Sequence, residues 1–180
     1  MDKAAITPTL VAALIADQFP QWAELPVSRV EFDGWDNTTF RLGDDLSVRL
    51  PSADRYVPQV EKEQRWLPIL APLLPLPIPR PVALGLPGHG FARPWSVYRW
   101  LEGESAAVDR IADLERFARD LAEFLAALYR VDPTDGPAAG EHSFYRGGPL
   151  STYDAETRAT LSALEGRIDT RAAPPVREEA

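Results

Sequence analysis

Hydrophobic and polar residues alternate in two different rhythms along this chain, and the change falls shortly after residue 100. In the first half, short apolar runs alternate with polar positions and are separated by turns that contain glycine or aspartate, which is typical of β-strands. In the second half, apolar residues recur every three to four positions, as on one face of a helix. The sequence therefore predicts a strand-rich first half and a helical second half.

Five strands and two helices are predicted in the first half. Thr7 and Pro8 favour the start of a helix ahead of the first strand, as N-cap and first helical residue. A second helix, over residues 57–70, separates the third and fourth strands, and Pro68 is expected to end or kink it. Residues 70–81 then form a proline-rich, extended connector. The predicted strands are residues 27–32, 38–42, 46–50, 82–86 and 96–101.

The second half is predicted to begin with a long helix over residues 109–131, whose apolar residues lie on one broad stripe. A glycine-rich loop follows, Ser151 is expected to cap another helix, and the tail from Pro174 is expected to fray. If the stripe stays uncovered, it forms an apolar patch of the kind that marks a partner site or an aggregation liability.

Composition narrows the class of protein. The 180 residues suit one domain, or one lobe plus part of another. Cysteine is absent, which excludes disulfide scaffolds and cysteine-ligated zinc. The first residues lack a signal peptide, and no apolar stretch reaches the roughly 18 residues of a membrane span, so we expect a soluble, cytoplasmic protein. The net charge of −8 argues against nucleic-acid binding and is compatible with a cationic small substrate.

Three features of the first half suggest a nucleotide clamp, and each also has a plain structural interpretation. The first is the turn at residues 33–39. Gly34 lets the backbone approach a phosphate, and Asn37, Thr38 and Thr39 offer donors to it. Taken alone, this segment is equally an ordinary turn between two strands.

The second feature is Arg49, a cation among apolar neighbours in the third strand, where it needs a partner. Glu63 on the following helix is the favoured partner and Glu61 is the other candidate. Protein kinases use such a pair beside their phosphates, although a solvated surface pair is the plain alternative. The third feature is the segment 95–103, an apolar strand that runs into an acidic turn and can offer backbone groups to an adenine edge, or is simply a core strand.

These features occur in the order found in a kinase small lobe, and here the sequence resembles the aminoglycoside phosphotransferase family. The resemblance covers about residues 27–171. The segments that carry it are GWDNTTFRL (34–42), VRLP (48–51), EKEQRWL (61–67), LPIPRP (76–81), WSVYRWLEGE (95–104) and GGPLSTYDAETR (147–158).

The resemblance implies an α+β, protein-kinase-like fold, with a five-stranded antiparallel small lobe, one inserted helix and the first helices of an incomplete large lobe. The small lobe with its N-terminal helix and hinge would span residues 1–103, and the helical large lobe would begin over 104–180. Arg49 stands where the family usually has a lysine. The implied nucleotide-binding residues are Gly34, Asn37, Thr38, Arg49, Glu63, Tyr98 as gatekeeper, Arg99 through its carbonyl and Leu101 through its amide.

Members of that family also carry a His-Gly-Asp catalytic loop and a later aspartate motif that holds magnesium. Neither motif occurs before Ala180. We therefore expect no catalytic and no metal-binding residue in this chain, with the Mg²⁺ ligands in a missing C-terminal half and negligible kinase activity for the chain alone. On this interpretation the chain is a fragment, a frameshifted or split product, or a piece that needs a complementing C-terminal half.

The function that the resemblance implies is transfer of the γ-phosphoryl group of ATP, or of GTP, to a hydroxyl of a small molecule such as an aminoglycoside. Antibiotic resistance is one role of that family. Two alternatives stay open: a non-catalytic module that binds a nucleotide or a partner, and an α+β interaction domain without a nucleotide site. Neither a nucleic acid nor a membrane is expected as a partner.

Overall fold

The structure is a computed structural model that describes residues 3–31 and 33–170. Contacts between residues divide the chain into two units, Met1–Asp135 and Gly136–Ala180. The candidate site lies entirely in the first unit.

A five-stranded antiparallel sheet is the centre of the first unit, as the sequence predicts. Its strand order is β1-β2-β3-β5-β4, so β3 is the central strand. The β2–β3 hairpin turns at Gly43, whose positive φ of 57° suits glycine. The strands are β1 (Val27–Arg29), β2 (Asn37–Leu42), β3 (Leu46–Pro51), β4 (Pro81–Gly85) and β5 (Trp95–Arg99).

Three strands end earlier than predicted: β1 by three residues, β4 by one and β5 by two. β1 pairs with β2 only over Val27–Arg29, and Phe32, the last residue of the predicted strand, lies outside the described residues. β5 ends at Arg99, opposite Leu46, the first residue of β3. No further residue of β3 is left to pair there, so Leu101 lies beyond the strand.

One face of the sheet is covered by helix α1 (Pro8–Gln18). The helix begins where predicted, because the Thr7 side chain accepts a hydrogen bond from the Leu10 amide at 3.2 Å. Together α1 and this face of the sheet form the apolar core. The core residues are Ile6, Val11, Leu14, Ile15, Phe40, Leu42, Leu46, Val48, Leu50, Phe91, Trp95 and Val97.

Helix α2 (Val57–Leu70) lies on the other face of the sheet. The Gln64 amide group donates to the Ser96 hydroxyl at 2.9 Å and to the Ala83 carbonyl at 3.1 Å, which ties the helix to β5 and β4. Pro68 was predicted to end or kink the helix, and it does not end it. The helix continues only two residues past it and then tightens into a 3₁₀ turn, so few backbone bonds are affected.

Helix α3 (Leu114–Tyr129) is shorter than the predicted 109–131. Asp113 is its N-cap: the Asp113 carboxylate accepts a hydrogen bond from the amide of Arg116 at 2.9 Å, so the helix begins at Leu114 and the earlier residues stay outside it. Its apolar stripe is half-exposed along its length and holds no buried residue. No helix in the described part of the chain is both long enough and apolar enough to cross a membrane.

The second unit contains helix α4 (Asp154–Ala163). The prediction that Ser151 caps this helix is wrong. Ser151 lies within a 3₁₀ turn, Leu150–Tyr153, which runs directly into α4, so Tyr153 holds the N-cap position. The Tyr153 hydroxyl donates to the Phe144 carbonyl at 2.7 Å and fixes the loop before the turn. The predicted frayed tail from Pro174 lies outside the described residues.

Gly85→Ala should destabilise the first unit strongly, because an added Cβ would overlap the indole ring of Trp95, which is fully buried. We expect the free energy of unfolding in urea to fall by about 2–3 kcal/mol. Gly34→Ala is the matched control, since a Cβ there would meet only the Asn37 carbonyl at 3.8 Å. Equal stabilities for the two variants would contradict this account of the core.

Candidate nucleotide-binding site

An open cleft of about 500 Å³ lies on the α2 side of the sheet, bounded by the turn before β2 and the segment after β5. That volume is within the range of small-molecule sites. Its lining residues are Val30, Gly34, Trp35, Asp36, Asn37, Thr39, Ser47, Arg49, Pro79, Arg99, Trp100 and Leu101. Of the eight residues predicted to bind a nucleotide, five therefore lie on the cleft: Gly34, Asn37, Arg49, Arg99 and Leu101.

The turn at residues 33–39, here called the Gly34 turn, is closed by a carboxylate. Asp33 Oδ1 accepts hydrogen bonds from the amides of Gly34, at 2.9 Å, and Thr39, at 2.8 Å. One side chain thus links the two ends of the turn. Asp33 was assigned no role from the sequence. An aspartate at the first position of a turn commonly accepts hydrogen bonds from the backbone amides that follow it, so the signal was present.

Alternation along β2 corrects one assignment. Thr38 is fully buried on the core face, its hydroxyl has no partner among the described residues, and it does not line the cleft. Thr39, the next residue, lies on the cleft face, because successive side chains of a strand point to opposite faces. The hydroxyl on the cleft side therefore belongs to Thr39 and not to Thr38.

Arg49 lies on the cleft face of β3 and pairs with Glu63 of α2, as predicted. Arg49 Nη1 is 3.8 Å from Glu63 Oε2, and the two side chains are 32% and 28% exposed. The guanidinium also lies over the ring of Tyr98, with its carbon 4.8 Å from the ring centroid. Three elements, β3, α2 and β5, thus hold this cation beside the cleft.

Tyr98 was predicted to lie beside an adenine, yet it does not line the cleft. It is 2% exposed, and its hydroxyl donates to Glu63 Oε2 at 2.5 Å. Burial first, and then the Glu63 carboxylate, raise the pKa of the Tyr98 phenol well above its ordinary value. Tyr98 therefore stays neutral and acts as a donor to the carboxylate that pairs with Arg49.

The far end of the cleft is formed by backbone that leaves the sheet after β5. The Arg99 amide bonds the Arg80 carbonyl at 2.9 Å, and the Trp100 amide bonds the Asp45 carbonyl at 2.8 Å. Leu101 is the first residue past these bonds, and its amide donates to no backbone carbonyl in the described part of the chain. A free backbone donor thus lies at the cleft edge, which the strand pattern alone did not locate.

The Mg²⁺ that the resemblance implies would need carboxylate ligands. No group of three or more histidine, aspartate or glutamate side chains among residues 3–31 and 33–170 is arranged to hold a metal ion. Glu63, the carboxylate paired with the cleft arginine, already accepts from Tyr98 and contacts Arg49.

The buried phenol predicts a specific pH dependence of stability. Because the folded pKa of Tyr98 is raised, its contribution is complete below the unfolded value of about 10 and is lost as pH rises above it. The wild-type free energy of unfolding should therefore fall more steeply than that of Tyr98→Phe between about pH 10 and 11. Tyr129→Phe, at an exposed tyrosine of α3, is the matched control. Parallel curves for wild type and Tyr98→Phe would refute the burial argument.

Solved structures share this fold. The GDP complex of wild-type aminoglycoside 2'-phosphotransferase-IIIa matches with a TM-score of 0.64 and 22% identity, over 96% of this chain and 56% of that one. The GDP and kanamycin complex of APH(2")-IIia matches with a TM-score of 0.61 and 24% identity, over 94% and 55%. The streptomycin–ATP–APH(2")-IIa ternary complex matches with a TM-score of 0.56 and 19% identity, over 87% and 51%.

The chain thus spans about half the length of the solved structures it matches. The likeness confirms the α+β, kinase-like fold. No curated protein sequence matches the chain. Residues 28–174 match the sequence profile of the phosphotransferase enzyme family (APH), which is most of the chain. The chain belongs to this phosphotransferase enzyme family.

Proposed function

We propose that this chain forms the nucleotide-binding portion of a phosphotransferase that moves the γ-phosphoryl group of a purine nucleoside triphosphate, ATP in the first instance, to a hydroxyl of a small molecule. The observation that carries the proposal is the Arg49 guanidinium, which Glu63 and Tyr98 hold at the edge of a cleft between the Gly34 turn and Leu101.

The phosphates are proposed to lie at the Arg49 end of the cleft. A guanidinium there can bind phosphate oxygens through two parallel N–H groups, as lysine cannot. Asn37 and Thr39 line the same end and offer uncharged donors. The Gly34 turn would cover the phosphates from above, where Gly34 has no side chain to keep the backbone away.

The purine is proposed to lie at the other end of the cleft, against Val30 and Pro79, with its edge facing the backbone of residues 99–101. The Leu101 amide supplies a donor, and the Arg99 carbonyl an acceptor. The same backbone groups can hydrogen-bond adenine or guanine if the two bases lie at slightly different positions. Complexes with GDP and with ATP both occur among the structures that share this fold.

The acceptor is proposed to be a small hydroxyl compound of the aminoglycoside class, because the related structures were solved with kanamycin and with streptomycin. Residues 1–103 would form the nucleotide lobe with its hinge, and residues 104–180 the start of a helical lobe. The carboxylates that orient the acceptor and hold metal would belong to the part of the fold that the relatives have and this chain does not span.

Arg49→Ala should abolish nucleotide binding, because it removes the charged donor proposed for the phosphates. A lobe of this kind is expected to bind ATP at about millimolar Kd, so 10 mM ATP should raise the wild-type melting temperature by about 3–6 °C. The shift should vanish in Arg49→Ala and persist in part in Arg49→Lys. Arg119→Ala, at an exposed arginine of α3, is the matched control. A full shift in Arg49→Ala would reject the proposed site.

Gly34→Ala should weaken the binding of ATP without lowering the stability of the fold. The free cleft has room for a Cβ there, so only a phosphate lying against the backbone can make the methyl group costly. We expect the Kd of ATP to rise about tenfold, equivalent to about 1.4 kcal/mol, with an unchanged melting temperature without ligand. Unchanged ATP affinity, measured by calorimetry, would show that the phosphates do not lie under the Gly34 turn.

A further inference from the structure

We propose that Lys3 and Ser52 are positioning residues for the nucleotide phosphates, because they hold the carbonyl groups of the Gly34 turn away from the cleft. The inference rests on the proposed function and adds two residues to it. Neither residue lines the cleft, and Lys3 also lies outside the segment that matches the family profile.

Lys3 holds the first part of the turn. Its Nζ donates to the Gly34 carbonyl at 2.6 Å and lies 3.1 Å from Asp33 Oδ2. The other carboxylate oxygen of Asp33 already accepts the two amides that close the turn. One ammonium group therefore fixes both the carboxylate that closes the turn and the carbonyl that follows it.

The backbone that carries Lys3 is itself fixed to the sheet. Ile6, three residues on, is fully buried in the core, and its amide bonds the Lys3 carbonyl at 3.2 Å. The Ile6 carbonyl accepts from Arg29 of β1 at 2.6 Å. Lys3 therefore extends from an anchored segment, and its ammonium group has a defined position beside the turn.

Ser52, just after β3, holds the second part of the turn. Its amide donates to the Asp36 carbonyl at 2.9 Å. Its hydroxyl lies 3.0 Å from the Asp36 carbonyl and 3.2 Å from the Trp35 carbonyl, within donating distance of both. Lys3 and Ser52 together engage three consecutive carbonyl groups, those of Gly34, Trp35 and Asp36.

The consequence for a phosphate is electrostatic. A carbonyl oxygen carries partial negative charge and repels a phosphate, whereas an amide N–H attracts it. The amides of Trp35 and Asp36 make no hydrogen bond within the described residues, and both residues line the cleft. Lys3 and Ser52 engage the three carbonyl groups from outside the cleft, which leaves the Trp35 and Asp36 amides available to an anion before any nucleotide arrives. The turn therefore needs little further ordering when a nucleotide binds.

The test compares ATP with adenosine, which lacks the phosphates, on the full chain. Lys3→Met and Ser52→Ala should each raise the Kd of ATP about five- to tenfold while the Kd of adenosine changes less than about twofold. Lys3→Arg should restore ATP binding. Lys62→Met removes the same charge from α2 and is the matched control. Without ligand, amide exchange at Thr39 should quicken in Lys3→Met, because Asp33 loses its counter-charge.

The outcomes separate this inference from the proposed function. If the wild type binds ATP and both variants bind it equally well, the positioning role is overturned and the nucleotide site stands. Equal losses of affinity for ATP and for adenosine would also overturn it, since the substitutions would then act on the fold. The same loss of ATP affinity in Lys62→Met would overturn it too, since the effect would then come from net charge. If the wild type binds neither ligand while Thr39 exchange still responds to Lys3→Met, the proposed function fails, and the inference about phosphates fails with it.

Discussion

A guanidinium on the cleft face of the central strand needs a counter-charge, and Glu63 of α2 supplies it to Arg49. Helix α2 packs on the same face of the sheet as this cation, which brings the Glu63 carboxylate within reach of it. Tyr98 adds a neutral donor to the same carboxylate and an aromatic face to the same cation. The position of one charge thus links β3, α2 and β5, and the cleft lies beside that link.

The two faces of the sheet have different chemistry, and the period of two along each strand keeps them separate. Phe40, Val48 and Val97 belong to the core that α1 covers, whereas Thr39 and Arg49 lie on the cleft. The polar face carries the groups proposed to contact a nucleotide, together with backbone groups at the Gly34 turn and at Leu101.

Where elements begin and end was predicted less well than their existence, and the reasons are local contacts between distant residues. β5 stops at Arg99 because β3 offers no further partner beyond Leu46. Helix α3 starts at Leu114 because the carboxylate of the preceding residue, Asp113, caps it. Thr38 was assigned to the cleft, but the register of β2 places it in the core, and a shift of one residue along a strand changes the face.

The sequence by itself determined the family resemblance, the five strands and the inserted helix, and the pairing of Arg49 with Glu63. These follow from periodicity, turn residues and the high cost of an unpaired cation, which are all local or pairwise properties. Only the tertiary structure decided that Lys3 and Ser52 contact the Gly34 turn, that Asp33 closes it and that Tyr98 faces Glu63. Except for the closure of the turn by Asp33, those contacts join residues from separate segments. Most of them involve backbone carbonyls and amides, which leave no trace in the pattern of side chains.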